Sequence, residues 1–235
     1  MRNWWFSIGL LFFIGIFFDA QAGEISENDG SGLADYSGFY VGGQATTNGL
    51  GFNLKYIFNK RLTLKAGVES MRLSHSFLLE EDDMSYDAKV NYKTGGMFLL
   101  ADFFYTRALY LSGGVMMNDF QPYMTGRAAE SLEYGDINIP ASKVGDFRIT
   151  IEPELKYSPY GGLGIRTFMG KNKMVTWNFE TGIYYMGPPN ISIEATGLLS
   201  PTADPAHGQK EILEKQFSAY NLYPVVKLAL SLRIF

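Results

Sequence analysis

The segment Val225-Val226-Lys227-Leu228-Ala229-Leu230-Ser231-Leu232-Arg233-Ile234-Phe235 alternates apolar and polar residues and stops on an aromatic. Strand side chains repeat every second residue, so Val226, Leu228, Leu230, Leu232 and Ile234 share one face, opposite Lys227, Ala229, Ser231 and Arg233. A soluble sandwich has no need to finish on a bare apolar face. A transmembrane β-barrel does, because its last strand closes the ring with lipid on one side and a polar interior on the other. The pattern predicts an all-β outer-membrane protein.

The other end of the chain fits the same compartment. Met1-Arg2-Asn3 supplies a positive charge, an apolar run extends from Trp4 to Phe18, and Ala20-Gln21-Ala22 has small residues where a signal peptidase cuts. The run is too short for the roughly 20 residues that a membrane helix needs. Expected organisation is therefore a secretory signal peptide at 1–22, an N-terminal periplasmic segment at 23–35 and a barrel at 36–235. There is no cysteine, hence no lipid attachment at the cleavage site and no disulfide. Mean hydropathy is only -0.04, as expected where alternation hides a lipid face from any average.

Eight strands in four hairpins can be placed by parity. The first, 36–46, has Phe39, Val41 and Ala45 on one side and Tyr40 and Gln44 on the other; Asn48-Gly49 is the strongest hairpin signal. Leu50 to Phe58 follows with Asn53 and Lys55 inward. After Asn59-Lys60 comes a strand with Lys65 and Glu69 inward. There Met71 and Leu73 change parity, which reads as a bulge near Ser70. The fourth strand starts with Lys93 inward, but its second half is apolar on both parities and leaves the facing of Asp102 open. Beyond Tyr105-Thr106-Arg107, Leu109, Leu111, Val115 and Met117 mark the fifth.

Parity then holds from Phe147 to Ile165, with Arg166 inward, and from Val175 through Pro188-Pro189 to Ile193, with Asn178, Glu180 and Tyr184 inward. This predicts a long hairpin about Lys171 to Lys173, pairing Tyr157 with Tyr185 and Ile165 with Trp177. At roughly 22 residues per arm it exceeds the roughly 9 to 11 that cross a bilayer, so its upper part stands clear of the membrane. Its aromatics are candidates for the interfacial girdles.

Short turns alternate with long connections at 76–87, 119–146 and 187–222, which fits short periplasmic turns and long extracellular loops. The long connections sum to a formal charge of about −10, with Glu80, Glu81, Asp82, Asp83 and Asp87 clustered in the first. An acidic mouth concentrates cations; equally, such loops keep a surface soluble and meet divalent cations between lipopolysaccharides.

Five segments stand in order along the chain: Thr46-Thr47-Asn48-Gly49-Leu50-Gly51, Leu64-Lys65-Ala66-Gly67-Val68, Ser158-Pro159-Tyr160-Gly161-Gly162-Leu163-Gly164, Thr181-Gly182-Ile183-Tyr184-Tyr185-Met186-Gly187-Pro188-Pro189 and Tyr223-Pro224-Val225-Val226. In these the chain resembles the CarO-type ornithine-uptake porins and related small outer-membrane barrels. The resemblance implies an eight-stranded up-and-down barrel with a helical stretch in the last loop, which 209–217 would supply, and slow passage of small basic amino acids. One departure is the terminus. Phe235 falls on the polar parity, one residue late, so Ile234 takes the lipid-facing place.

Candidate lumen residues are Tyr40, Gln44, Asn53, Lys55, Lys65, Glu69, Lys93, Arg166, Asn178, Glu180, Tyr184, Lys227 and Arg233. Eight strands leave an interior just wide enough for side chains, so these charges should pair across it. Two readings follow: a salt-bridged plug, or a narrow path for a small cationic or zwitterionic solute. Catalysis finds little support. His75 is flanked by Ser74 and Ser76, which point to the opposite face, and His207 lies in a loop. No cofactor, metal site or nucleic-acid partner is expected. Expected partners are outer-membrane lipid, lipopolysaccharide and the barrel-assembly machinery of a Gram-negative envelope. The function classes are thus a porin-like channel and a structural or surface-interaction barrel without transport.

Overall fold

The computed structural model describes residues 37–81, 84–134, 137–170, 173–203, 209–217 and 221–234. The expected signal peptide, the segment at 23–35, Asp82, Asp83, His207 and Phe235 lie outside them. The strands are β1 (Gly38–Thr46), β2 (Gly49–Ile57), β3 (Leu62–Glu81), β4 (Met84–Phe104), β5 (Leu109–Asn118), β6 (Tyr123–Ala128), β7 (Leu132–Tyr134), β8 (Ile137–Ile139), β9 (Asp146–Pro153), β10 (Tyr157–Met169), β11 (Val175–Tyr185), β12 (Pro189–Ala195) and β13 (Leu222–Arg233). A short helix α1 (Ala141–Val144), a 3-10 helix (Gly197–Ala203) and α2 (Gln209–Phe217) complete the described elements. No helix among the described residues is long and apolar enough to cross a membrane.

Eight of these strands form a closed antiparallel ring in the order β1-β2-β3-β4-β5-β10-β11-β13. The seam joins β1 to β13, from Tyr40↔Arg233 to Thr46↔Lys227. Closure leaves the ring no open edge, which is what lets strands stand in hydrocarbon. The expected turns at Asn48-Gly49, Asn59-Lys60 and Tyr105 to Arg107 appear where the sequence places them, whereas Lys171 and Asn172 of the fourth lie outside the described residues. At one, Asn59 Oδ1 accepts from the backbone N–H groups of Arg61 and Leu62 at 2.8 and 3.0 Å. At another, Gly49 has φ 117°, a conformation that other residues rarely adopt.

Outward positions of the ring are apolar and bare. Leu50 is 75% and Phe52 74% exposed, and Leu99, Leu111, Leu163, Ile183, Leu228 and Leu230 are exposed with them. Below Ser70 and Gly95, no outward ring position carries a charge. Such a continuous apolar surface is far larger than soluble monomers show and fits a lipid belt. Near the short turns Tyr56 packs on Phe39 and Phe58, with ring centroids 4.6 and 4.5 Å apart. Tyr157 and Tyr185 lie exposed at the other end of the ring.

Above the ring the wall continues on one side. The upper parts of β3 and β4, together with β6, β9 and β12, form a sheet in the order β12-β9-β6-β4-β3. The span 76–87, expected as a loop, is instead strand: β3 and β4 pair without interruption from Leu62↔Phe103 to Glu81↔Met84. That unbroken register also excludes the bulge expected near Ser70. Met71 and Leu73 change apolar parity because they have risen past β2, whose pairing ends at Leu50↔Ser70.

The long hairpin is also revised. It breaks after Pro153 and after Tyr185, and Leu155 N–H donates to the Met186 carbonyl at 3.0 Å within the break. β9 and β12 keep the register read from sequence, with Ile151 opposite Ile191. β10 and β11 are shifted by two: Ile165 faces Phe179, Thr167 faces Trp177, and Tyr157 faces Met117 of β5.

Candidate functional site

Inward positions converge on the ring's interior, and most of the sequence-derived candidates are there. Tyr40, Gln44, Asn53, Lys55, Lys65, Glu69, Arg166, Asn178, Glu180, Tyr184 and Lys227 are all buried. Arg233 sits half-buried at the turn end and donates to the Ser37 carbonyl at 3.0 Å. Lys93 does not join them. Even positions of β4 face inward, so Lys93 is on the outer side above the ring, paired with Asp119 at 2.9 Å.

Three carboxylates organise the interior. Asp102 on β4 and Glu180 on β11 both contact Lys65 on β3, the Asp102 pair at 2.8 Å. Glu180 also accepts from Tyr110 at 2.8 Å and Tyr160 at 2.7 Å. Glu69 accepts from Gln44 at 2.8 Å and from Asn48 at 2.7 Å, with Lys227 Nζ at 3.6 Å. Chains of amides link these centres: Ser231 donates to Asn53 and Asn53 to Gln44, while Lys55 donates to Asn178 at 2.8 Å and Asn178 to Tyr110. Buried charge is tolerable only when paired and hydrogen-bonded in this way.

Aromatic rings share the load. Arg166 lies over Phe104, 3.8 Å from its centroid, and donates to Thr63 at 2.8 Å. Lys227 Nζ lies 4.7 to 5.0 Å from the rings of Phe98, Tyr160 and Tyr184. Toward the outer end, Phe98, Leu100, Met116, Tyr160, Tyr184, Met186 and Val225 form an apolar cluster, with Phe120 and Tyr223 packed on it. Tyr92 and Tyr223 meet hydroxyl to hydroxyl at 3.0 Å above it. Between this cluster and the ion pairs is an internal space of about 20 Å³, lined by Gln44, Lys55, Lys65, Tyr110, Glu180 and Lys227 among others. That is room for roughly one water molecule.

Among the polar residues that escaped the sequence reading are Asn48, Tyr110, Tyr160 and Asp102. Asn48 marks a turn, yet its side chain dips inward to Glu69 and accepts from Thr94 at 3.2 Å. Tyr110 and Tyr160 lie in strands whose apolar outward partners dominate the pattern. Asp102 sits in a stretch apolar on both parities, because Met97, Leu99 and Phe103 face outward while Phe98, Leu100 and Phe104 face inward. The cost of a carboxylate in lipid would have settled its facing.

His75 stacks beside Phe77, centroids 6.4 Å apart, and neighbouring Ser74 donates to Asn91 instead. The acidic mouth is partly neutralised. Asp119 is held by Lys93, and Asp146 is gripped by Arg127 at 2.9 and 3.3 Å. Among the described residues no group of three or more His, Asp or Glu could hold a metal ion.

Ring, apolar belt and charged interior together define a transmembrane eight-stranded β-barrel whose lumen is filled by its own side chains. Two solved structures share this fold. CarO of Acinetobacter baumannii superposes with a TM-score of 0.54 at 17% identity, over 83% of this chain and 97% of that one. CarO2 of the same organism does so with a TM-score of 0.54 at 20% identity, over 83% and 98%. At such identities the likeness is one of fold. No protein-family model matches the chain, and no curated protein matches it in sequence.

Proposed function

We propose that this protein is exported to the outer membrane of a Gram-negative bacterium, after removal of residues 1–22, and passes small solutes slowly through a side-chain-gated lumen. The solutes are zwitterions or cations of amino-acid size, basic amino acids foremost, as the resemblance noted above implies. Lipid and lipopolysaccharide surround the belt, and the barrel-assembly machinery inserts it.

The observation that carries the reading is what stands behind the interior rings. A methyl group added at Gly162 or Gly182 would meet the Tyr160 hydroxyl at 2.5 or 2.3 Å, and one at Gly164 would meet the Tyr110 ring at 2.2 Å. Both tyrosines thus lie flat against bare backbone and contact Glu180 from there. Rings laid against glycine occupy less of the lumen than rings held at its centre, and the contacts of Lys65 and Glu180 are of the kind a passing ammonium can exchange.

A second reading has its own support. The internal space of about 20 Å³ is far below the size of an amino acid, which favours a barrel without transport that presents its outer sheet. Planar-bilayer recording and ornithine uptake into liposomes separate the two. Small unitary currents with uptake above protein-free vesicles support transport. Silence in both assays, from protein shown to be folded by heat-modifiable gel mobility, would leave the surface role.

A further inference from the structure

Lys227 has more ring neighbours than Lys65 or Arg166. Its ammonium is surrounded by three rings from three strands: Phe98 of β4 at 4.7 Å, and Tyr160 of β10 and Tyr184 of β11 at 5.0 Å each. Tyr160 and Tyr184 pack with centroids 4.6 Å apart, and Tyr184 Oη accepts a hydrogen bond from the ammonium. The nearest carboxylate is the loosest contact. Glu69 is 3.6 Å away and already receives Gln44 and Asn48 at 2.8 and 2.7 Å. Glu69 is therefore shared with amides, and the ammonium is held jointly by the Tyr184 hydroxyl, by Glu69 and by the rings of Phe98 and Tyr160.

The cage is also built to order by the backbone. Gly67 lets Phe98 lie close, since a methyl there would stand 2.6 Å from its Cζ, and Gly162 with Gly182 seat Tyr160. Aromatic rings and a phenol oxygen gathered around one point, with a carboxylate behind, are the chemistry that recognises an alkylammonium. The ammonium borders the internal space rather than closing it from outside.

We propose that Lys227 is a tethered occupant of an alkylammonium site formed by Phe98, Tyr160, Tyr184 and Glu69, and that a ligand's alkylammonium group gains the lumen by displacing it. This rests on the lumen as the working part of the barrel, and it gives the gate an address. Competition with a built-in lysine makes the path selective for cations that prefer ring faces to water.

The test is chemical rescue in detergent micelles. Lys227→Ala removes the propylammonium portion of the side chain, and n-propylammonium is the probe. Added probe should raise the thermal unfolding midpoint of Lys227→Ala well beyond its effect on wild type. Phe98→Ala in the same background should weaken that binding about tenfold, the scale of a desolvated cation–π contact. Should Lys227→Ala fail to refold, the wild type carries the test. With 13C-labelled lysine, the Lys227 Cε methylene should be displaced by ring currents from the resonances of the other lysines and shift on titration with n-propylammonium. Equal stabilisation by n-propanol or sodium chloride, indifference to Phe98→Ala, or an unmoved Cε resonance would overturn the proposal. Binding is read without any flux, so solute uptake with no rescue removes this site alone, while rescue without uptake removes only the transport reading.

Discussion

Lys55 of β2 and Lys65 of β3 are direct cross-strand partners on the inner face of the ring. Like charges placed opposite one another destabilise a sheet, and the interior is arranged to part them. Lys65 turns to Asp102 and Glu180, whereas Lys55 turns to the amide oxygen of Asn178.

The first expectation concerns Lys55. Its loss removes a like-charge neighbour and leaves no carboxylate behind. Lys55→Met should fold and gain about 1 kcal/mol, because a buried charge without an ionic partner is replaced by a side chain of similar volume. Guanidinium unfolding in lipid vesicles, followed through Trp177 fluorescence, reads the difference. A loss of similar size would show that the hydrogen bond to Asn178 outweighs the repulsion.

Lys65 should behave in the opposite way. Lys65→Met strands Asp102 and Glu180, which are 1% and 2% exposed, and the expected cost is about 3–5 kcal/mol. Adding Asp102→Asn and Glu180→Gln should recover most of it. A single variant as stable as wild type would mean that the carboxylates find other partners.

The belt makes a depth-dependent prediction. Leu230 lies outward on β13 opposite Trp177, next to inward Ala229 and Ser231. Leu230→Arg should cost between about 1 kcal/mol, the value near an interface, and about 4 kcal/mol, the value at the midplane, so its size reports the depth of Leu230. The same change in an aqueous sandwich would cost little. Vesicle unfolding compared between Leu230→Arg and Leu230→Ala isolates the charge.

Acid should loosen the outer sheet before the ring. The Arg127 guanidinium beside Asp146 holds that carboxyl below the usual carboxylate range. A depressed carboxylate contributes stability above its ordinary pKa near 4 and loses it as pH falls through the lowered folded value. Hydrogen exchange at 123–128 and 146–153 should therefore quicken, modestly for an exposed pair, as the pH drops below about 4. Asp146→Asn should show the quicker rate already at neutral pH.

How far the sequence carried can be judged from β9 and β10. Ile149 and Ile151 share the parity of Leu163 and Ile165, so one long strand was the natural reading. In the structure the former are half-buried in the outer sheet while the latter are exposed on the belt. Period-two alternation reports that a face avoids water; it does not say whether lipid or protein covers it. The break at 154–156 and the register shift of two in the ring were invisible for that reason. Turns and closing strand were legible because Asn-Gly and strict alternation act locally. The interior was legible as a list of charges but not as a circuit. Partners such as Lys65 and Glu180 lie 115 residues apart, and no local pattern joins them.

β3 and β4 run as one hairpin from the short turns, where Leu62 meets Phe103, to a tip at Glu81 and Met84. The same two strands carry Lys65 and Asp102 near their roots. A load placed on that tip would therefore pull on one end of a continuous ladder whose other end bears the barrel's central ion pair, so that distant wall and buried charge are mechanically joined.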